Sequence, residues 1–192
     1  TDFYVLAIPP GKIEAVLLDL NLSKKEGAIA AWGSFWPALD NTLPWRKSLA
    51  EFVRTTRWLQ RSYVKQSDWY SELASYRFMF CPDGAGVLSP KWMEALLVQT
   101  IPIAPKLPAY LKLQEMGYPF VVVDRWKDVT PQKLRIWWRQ LSPLLEKFSW
   151  LHTSDCWWAL LTTPGAVPSV EKALEHCIPP YYASILDRSR IK

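Results

Sequence analysis

The residues from Cys81 to Glu94, CPDGAGVLSPKWME, bring small, polar and charged side chains together in an order that suits a phosphate ester. Gly84, Ala85 and Gly86 have little or no side chain, so the backbone there can turn sharply and approach a ligand closely. Ser89 can cap a helix, and Pro90 supplies the fixed φ favoured at its first position. Amides at such a helix start attract anions, and Lys91 adds a full positive charge in the same turn. Glu94, three residues on, shares a helix face with Lys91, near enough to pair with it or to share a ligand. A carboxylate there can accept hydrogen bonds from two neighbouring hydroxyls, as on a ribose, while the ammonium and the amides hold a diphosphate. The chemistry of a sugar nucleotide asks for that division of labour. The same spacing also fits an ordinary strand-to-helix turn with a surface Lys–Glu pair.

To act in this way the loop has to leave a strand and open a helix. RFMFC, from Arg77 to Cys81, is a compact apolar strand, and the helix begins at Pro90. Beyond it IPIA forms a brief strand stopped by Pro105, and PFVVVD is the clearest strand of the chain. A valine run apolar on both faces suits the interior of a parallel sheet covered by helices. DWYSELASY reads as a short helix before the first of these strands. Thr130 resembles an N-cap followed by Pro131, starting a helix through QKLRIWWRQLSPLLEKF that Pro143 should kink or divide.

Upstream, Leu49, Phe52 and Val53 mark an amphipathic helix from Arg46. DFYVLAIPPG reads as a strand closed by a turn, KIEAVLLDLNL as either helix or strand, and GAIAAWGSFW as a second strand before the turn-rich PALDNTLPW. The tail after Trp150 is irregular or helical. The alternation of strands and helices from Arg77 to Phe148 predicts an α/β, Rossmann-like layered fold, a parallel sheet flanked by helices. Ligands of such sheets bind beyond the carboxyl ends of the strands, where the Gly84 loop would lie. No internal repeat or linker stands out, so residues 1–192 read as one domain.

The formal net charge of +5 permits attraction to phosphates. Basic residues are scattered through mixed segments such as WRKSLAEFVRTTRWLQR, which is the pattern of solvated helix faces and not of a nucleic-acid patch. Aromatic stacking on single strands, using the 12 Trp among the Arg residues, is the reading that would bring nucleic acid back. Those Trp residues first serve a core or an inter-domain face, with part left to meet a partner or a sugar ring. Three cysteines are too few for a disulfide scaffold. His152, Cys156, His176 and Cys177 are zinc-type ligands, but they lack the spacing of zinc sites, so no metal is expected. No apolar run reaches the roughly 18 to 20 residues that span a bilayer, so no transmembrane segment is expected in this chain. The chain opens on Thr, as a processed or excised one would, which leaves room for a removed signal or anchor; a soluble domain is expected, with its compartment, Golgi lumen and cytoplasm included, left open.

YRFMFCPDGAGVLSPKWMEALLVQTIPIAPKLP followed by GYPFVVVDRWKDVT resembles the C-terminal, donor-binding half of exostosin-like glycosyltransferases, whose GT-B fold has two Rossmann-like domains. The match spans about residues 71–134. It rests on Cys81, Pro82, Gly84, Gly86, Ser89, Lys91, Glu94, Ala95, Leu96, Ile101, Pro102 and Ile103. The resemblance implies that Gly84, Ala85, Gly86 and Ser89 shape a donor pocket, that Lys91 meets a diphosphate and that Glu94 meets the ribose. NTLPWRKSLAEF looks like an upstream loop and helix of such enzymes, where Arg46 would also face phosphate.

The implied activity is transfer of a sugar from a nucleotide-sugar donor to a hydroxyl of a carbohydrate or glycoconjugate acceptor, with no other cofactor. No DxD-like pair sits in a suitable loop, so the transfer is expected to be metal-independent. Residues 1–60 would then hold a reduced acceptor-side part. Two positions depart from the pattern: Asp83 stands where relatives often have Arg, and Pro90 where His is common. An acidic residue beside a diphosphate repels it, which points to the alternative of a non-catalytic nucleotide- or carbohydrate-binding module. No catalytic base is assigned; Asp68 and Glu72 are available carboxylates with expected roles on a helix surface.

Overall fold

All three apolar runs between Arg77 and Asp124 are strands, and they lie parallel in one sheet. The computed structural model describes residues 44–59, 68–83, 91–115 and 117–149, with side chains through residue 145. In chain order the elements are helices α1 (Pro44–Thr55) and α2 (Trp69–Ala74), strand β1 (Phe78–Phe80), α3 (Lys91–Leu97), β2 (Ile101–Pro105), α4 (Pro108–Glu115), β3 (Val121–Val123), a 3-10 turn (Trp126–Asp128) and α5 (Pro131–Ser149). The strands expected before residue 37, the element at KIEAVLLDLNL, the tail after Trp150 and the His152, Cys156, His176 and Cys177 set lie outside the described residues. The fold is therefore α/β, with a three-stranded parallel sheet packed with helices.

Strand order is β1-β2-β3. Among the described residues the middle strand is β2, buried along its whole length, and not the valine run. Val122 of β3 is only half-buried between the buried Val121 and Val123. A middle strand with two prolines is unusual, because proline cannot donate to a ladder. The hydrogen bonds explain how it is tolerated. Ile101 N–H donates to Arg77 C=O (2.9 Å) and Ile103 C=O accepts from Cys81 N–H (2.8 Å), so odd-numbered residues of β2 face β1. Lys106 N–H donates to Val123 C=O (2.9 Å), so even-numbered positions face β3. Pro102 thus faces β3 before that pairing begins at Ile103 and Val121, and Pro105 faces β1 after that pairing has ended at Phe80 and Ile103.

The core forms because strand and helix residues bury their apolar sides together. Phe78, Met79, Phe80, Ile101 and Ile103 of the sheet are buried with Trp92, Ala95 and Leu96 of α3, Tyr110 of α4 and Leu134 of α5. Full burial of one such large side chain stabilises the fold by about 1.5–3 kcal/mol. α3 packs against β1, β2 and α5, and α4 packs against β3. α1 joins through aromatic rings at the carboxyl end of β1: Phe80 meets Trp126 at 5.4 Å and Phe52 at 6.1 Å, and Trp126 meets Trp45 at 5.5 Å, all edge to face.

α3 and α4 end alike. Gln99 N–H donates to Leu96 C=O and Thr100 N–H to Ala95 C=O; Gly117 N–H donates to Gln114 C=O and Tyr118 N–H to Leu113 C=O. This paired pattern places one residue in the left-handed region, and Gln99 (φ 57°) and Gly117 (φ 91°) hold those places. The buried Thr100 hydroxyl, 2.9 Å from Tyr76 C=O and 3.0 Å from Leu73 C=O, ties the end of α3 to the end of α2.

α5 starts as the sequence indicates, with Lys133 N–H donating to Thr130 Oγ1 (3.2 Å). Pro143 does not divide it: the helix is one element of 19 residues. Pro143 deprives the Arg139 carbonyl of its donor, and both residues lie on the exposed side of α5, where water can take that place.

Candidate functional site

β1 delivers the chain to Cys81, Pro82 and Asp83 at the carboxyl edge of the sheet, and α3 starts again at Lys91. Gly84, Ala85, Gly86 and Ser89, in the connection between them, lie outside the described residues. Lys91 and Glu94 do share a face, and they pair: Lys91 Nζ lies 2.7 Å from Glu94 Oε2. Trp69, from α2, joins them. Its indole Nε1–H donates to the same Oε2 at 2.8 Å, and Lys91 Nζ stands 4.6 Å from its ring centroid.

The pair is three-quarters or more withdrawn from solvent, with Lys91 25% and Glu94 20% exposed. A charge-assisted hydrogen bond of this kind contributes about 1.5–3 kcal/mol, above an exposed ion pair. Because Oε2 receives both donors, it fixes the carboxylate plane. Oε1 makes no hydrogen bond among the described residues. The contribution of Trp69 is invisible in local spacing, since 25 residues separate it from Glu94.

The Glu94 charge is felt by its neighbours. Burial, and then the Glu94 carboxylate, push the Tyr70 hydroxyl up to about 12. Cys81 is buried, and its thiol is pushed well up by that burial and then by Glu94, with Lys91 pulling the other way. A thiol so raised stays protonated at neutral pH, which removes Cys81 as a nucleophile.

Arg46, on α1, reaches the same strand end from the other side. It is 8% exposed, and its Nε donates to the backbone carbonyl of Asp83 at 2.7 Å. The contact spans 37 residues and holds the entry to the Gly84 loop. Arg46 therefore grips the loop backbone directly, a role the reading of Arg46 as a phosphate ligand did not include. The Asp83 carboxyl is raised above its ordinary range, first by burial, against the opposing pull of Arg46 and of its own backbone N–H. Its Oδ1 is buried without a hydrogen-bond partner among the described residues. Of the two other carboxylates, Asp68 is exposed at the start of α2, and Glu72 accepts from the Tyr76 hydroxyl at 3.1 Å.

An open cavity of about 540 Å³ lies between α1 and the four residues after β3, Asp124 to Lys127. All three strand ends thus present polar groups on one side of the sheet: Asp83 after β1, Lys106 after β2, and Asp124 with Arg125 after β3. Lys106 and Asp124 pair at 3.0 Å.

Taken together the arrangement offers one desolvated ammonium, one oriented carboxylate with an available oxygen, and a loop held by a buried guanidinium. Such a set can bind a phosphate ester and a vicinal diol. It contains no activated nucleophile among the described residues, and no group of three or more His, Cys, Asp or Glu among them could hold a metal ion. No helix among the described residues is long and apolar enough to cross a membrane. No protein-family model matches the chain, and no curated protein matches it either.

Proposed function

We propose that this chain is the nucleotide-sugar-binding part of a metal-independent glycosyltransferase, with a Rossmann-like layer of the GT-B kind, that transfers a glycosyl group to a hydroxyl acceptor. One observation carries the reading. The Lys91–Glu94 pair, oriented by Trp69, opens the helix that follows the glycine loop at the carboxyl edge of a parallel sheet, where ligands of such sheets bind. On this reading Lys91 leaves its partner's side to meet the donor diphosphate as charge develops on it, and the loop amides of Gly84, Ala85, Gly86 and Ser89 add further donors. Glu94, held through Oε2 by Trp69, accepts ribose hydroxyls. α3 spans only seven described residues, so its dipole is small and the ammonium carries most of the positive potential.

Isothermal calorimetry with nucleoside diphosphates tests this. Lys91→Ala should weaken the preferred diphosphate at least about tenfold, the effect of roughly 1.4 kcal/mol. Unchanged affinity in that variant overturns the assignment. A second reading has one observation in its favour: the desolvated Asp83 carboxyl at the loop entrance opposes a diphosphate, as suits a binding module without transfer. Detecting transfer or donor hydrolysis in the protein that binds the nucleotide sugar excludes that module.

A further inference from the structure

We propose that the cavity between α1 and the segment after β3 is a binding site for a neutral pyranose ring of a glycan, separate from the Lys91–Glu94 seat. The inference goes beyond the transferase reading and does not depend on it. Pro44, Trp45, Ser48, Glu51, Phe52 and Thr55 follow one another at helical spacing and form one wall, so one face of α1 is turned to the opening. Trp126 belongs to the other wall. The two walls are joined: Trp126 Nε1–H donates to Trp45 C=O at 2.8 Å, and the two indoles meet edge to face at 5.5 Å. The cavity is therefore preformed, and its volume of about 540 Å³ falls in the range of small-ligand sites.

The chemistry of the lining selects the ligand. The floor is aromatic, from the half-buried Trp45 and Phe52, with the 2% exposed Trp126 adding little surface of its own, and such rings favour a ligand with one face of C–H groups. The rim holds two carboxylates, Glu51 and Asp124, and two cations, Arg125 and Lys127, so its formal charge is balanced. With the ion-pair partners Arg54, Lys106 and Asp128 added, the surroundings carry four cations and three carboxylates, which gives a phosphate little net attraction and a cation none. Carboxylates and guanidinium groups together do match a neutral polyol, accepting from and donating to its hydroxyls. Among the described residues Arg125 pairs with the half-buried Asp128, whereas Glu51 and Asp124 pair with exposed partners, Arg54 and Lys106. The exposed pairs are weak, so they can yield to a sugar hydroxyl at little cost.

Saturation-transfer NMR on the full chain tests the site, with methyl glycosides of glucose, galactose, mannose, N-acetylglucosamine and xylose as probes, alone and with a nucleoside diphosphate present. At least one glycoside is expected to bind, and the double variant Glu51→Ala/Asp124→Ala, on exposed rim positions that leave the aromatic floor intact, should weaken it at least tenfold. Lys91→Ala should leave glycoside binding unchanged, which separates this site from the nucleotide reading. Trp45→Phe, keeping an aromatic ring, should weaken binding less than Trp45→Ala. Absence of binding by every glycoside overturns the proposal. So does binding that survives the rim variant, binding lost in Lys91→Ala, or binding displaced by the diphosphate alone.

Discussion

Gln99 and Gly117 do the same job at the ends of two helices, but only glycine does it without a Cβ in the way. The left-handed conformation costs a residue with a side chain about 1–2 kcal/mol, partly offset by the greater freedom glycine loses on folding. Gln99→Gly should therefore stabilise the chain by about 0.5–1 kcal/mol, read as a higher urea midpoint with unchanged slope. Asp83 makes a pH-dependent case. Its folded pKa is raised, so the folded state holds this proton more tightly than the unfolded chain. Stability from this group is greatest below the unfolded carboxylate value and is lost as pH rises to the raised folded one. Asp83→Asn should melt higher than the parent at pH 7 and together with it at pH 3, by calorimetry. An equal gain at both pH values would assign the effect to packing. At this scale the Lys91–Glu94 pair was legible, because a helix repeat sets it. The grip of Arg46 on Asp83 and of Trp69 on Glu94 was not, because tertiary packing alone brings those residues together.

α5 shows where element rules need their surroundings. Thr130 and Pro131 announce its start from sequence, and the cap bond is formed. Pro143 announces a kink or a division, and the division does not come, since burial decides whether a lost backbone bond matters and single positions do not reveal burial. Restoring the donor should help: a proline inside a helix costs about 3 kcal/mol against alanine, so Pro143→Ala should stabilise by about 1–2 kcal/mol after the gain in unfolded-chain freedom. Equilibrium denaturation checks this, and a loss of stability would mean that the pyrrolidine ring packs usefully. The same limit explains β2. Proline argues against a middle strand, yet here each proline sits where the neighbour on its own side is absent.

For the molecule as a whole, the parallel sheet was legible from apolar runs separated by helical lengths of chain, which only crossover connections can join. Which run lies in the middle of the described strands was not, since the three valines read as the more buried run, yet Val122 is half-buried while the mixed IPIAP is buried throughout. The aromatic excess also had a meaning that composition alone could not assign. Trp45, Phe52, Phe80 and Trp126 form one chain of ring contacts from α1 to the strand end, while Trp69 serves the charged pair.

The two prolines of β2 carry a consequence for assembly. A strand with a full set of donors can slide by two residues along its neighbours and keep the same side chains inward. Here such a slip of β3 toward the start of β2, or of β1 toward its end, would set a carbonyl against a ring nitrogen that has no hydrogen to give. Pro102 and Pro105 are thus end-stops, one for each neighbour, and they tell the folding chain how far each strand is to travel before it locks.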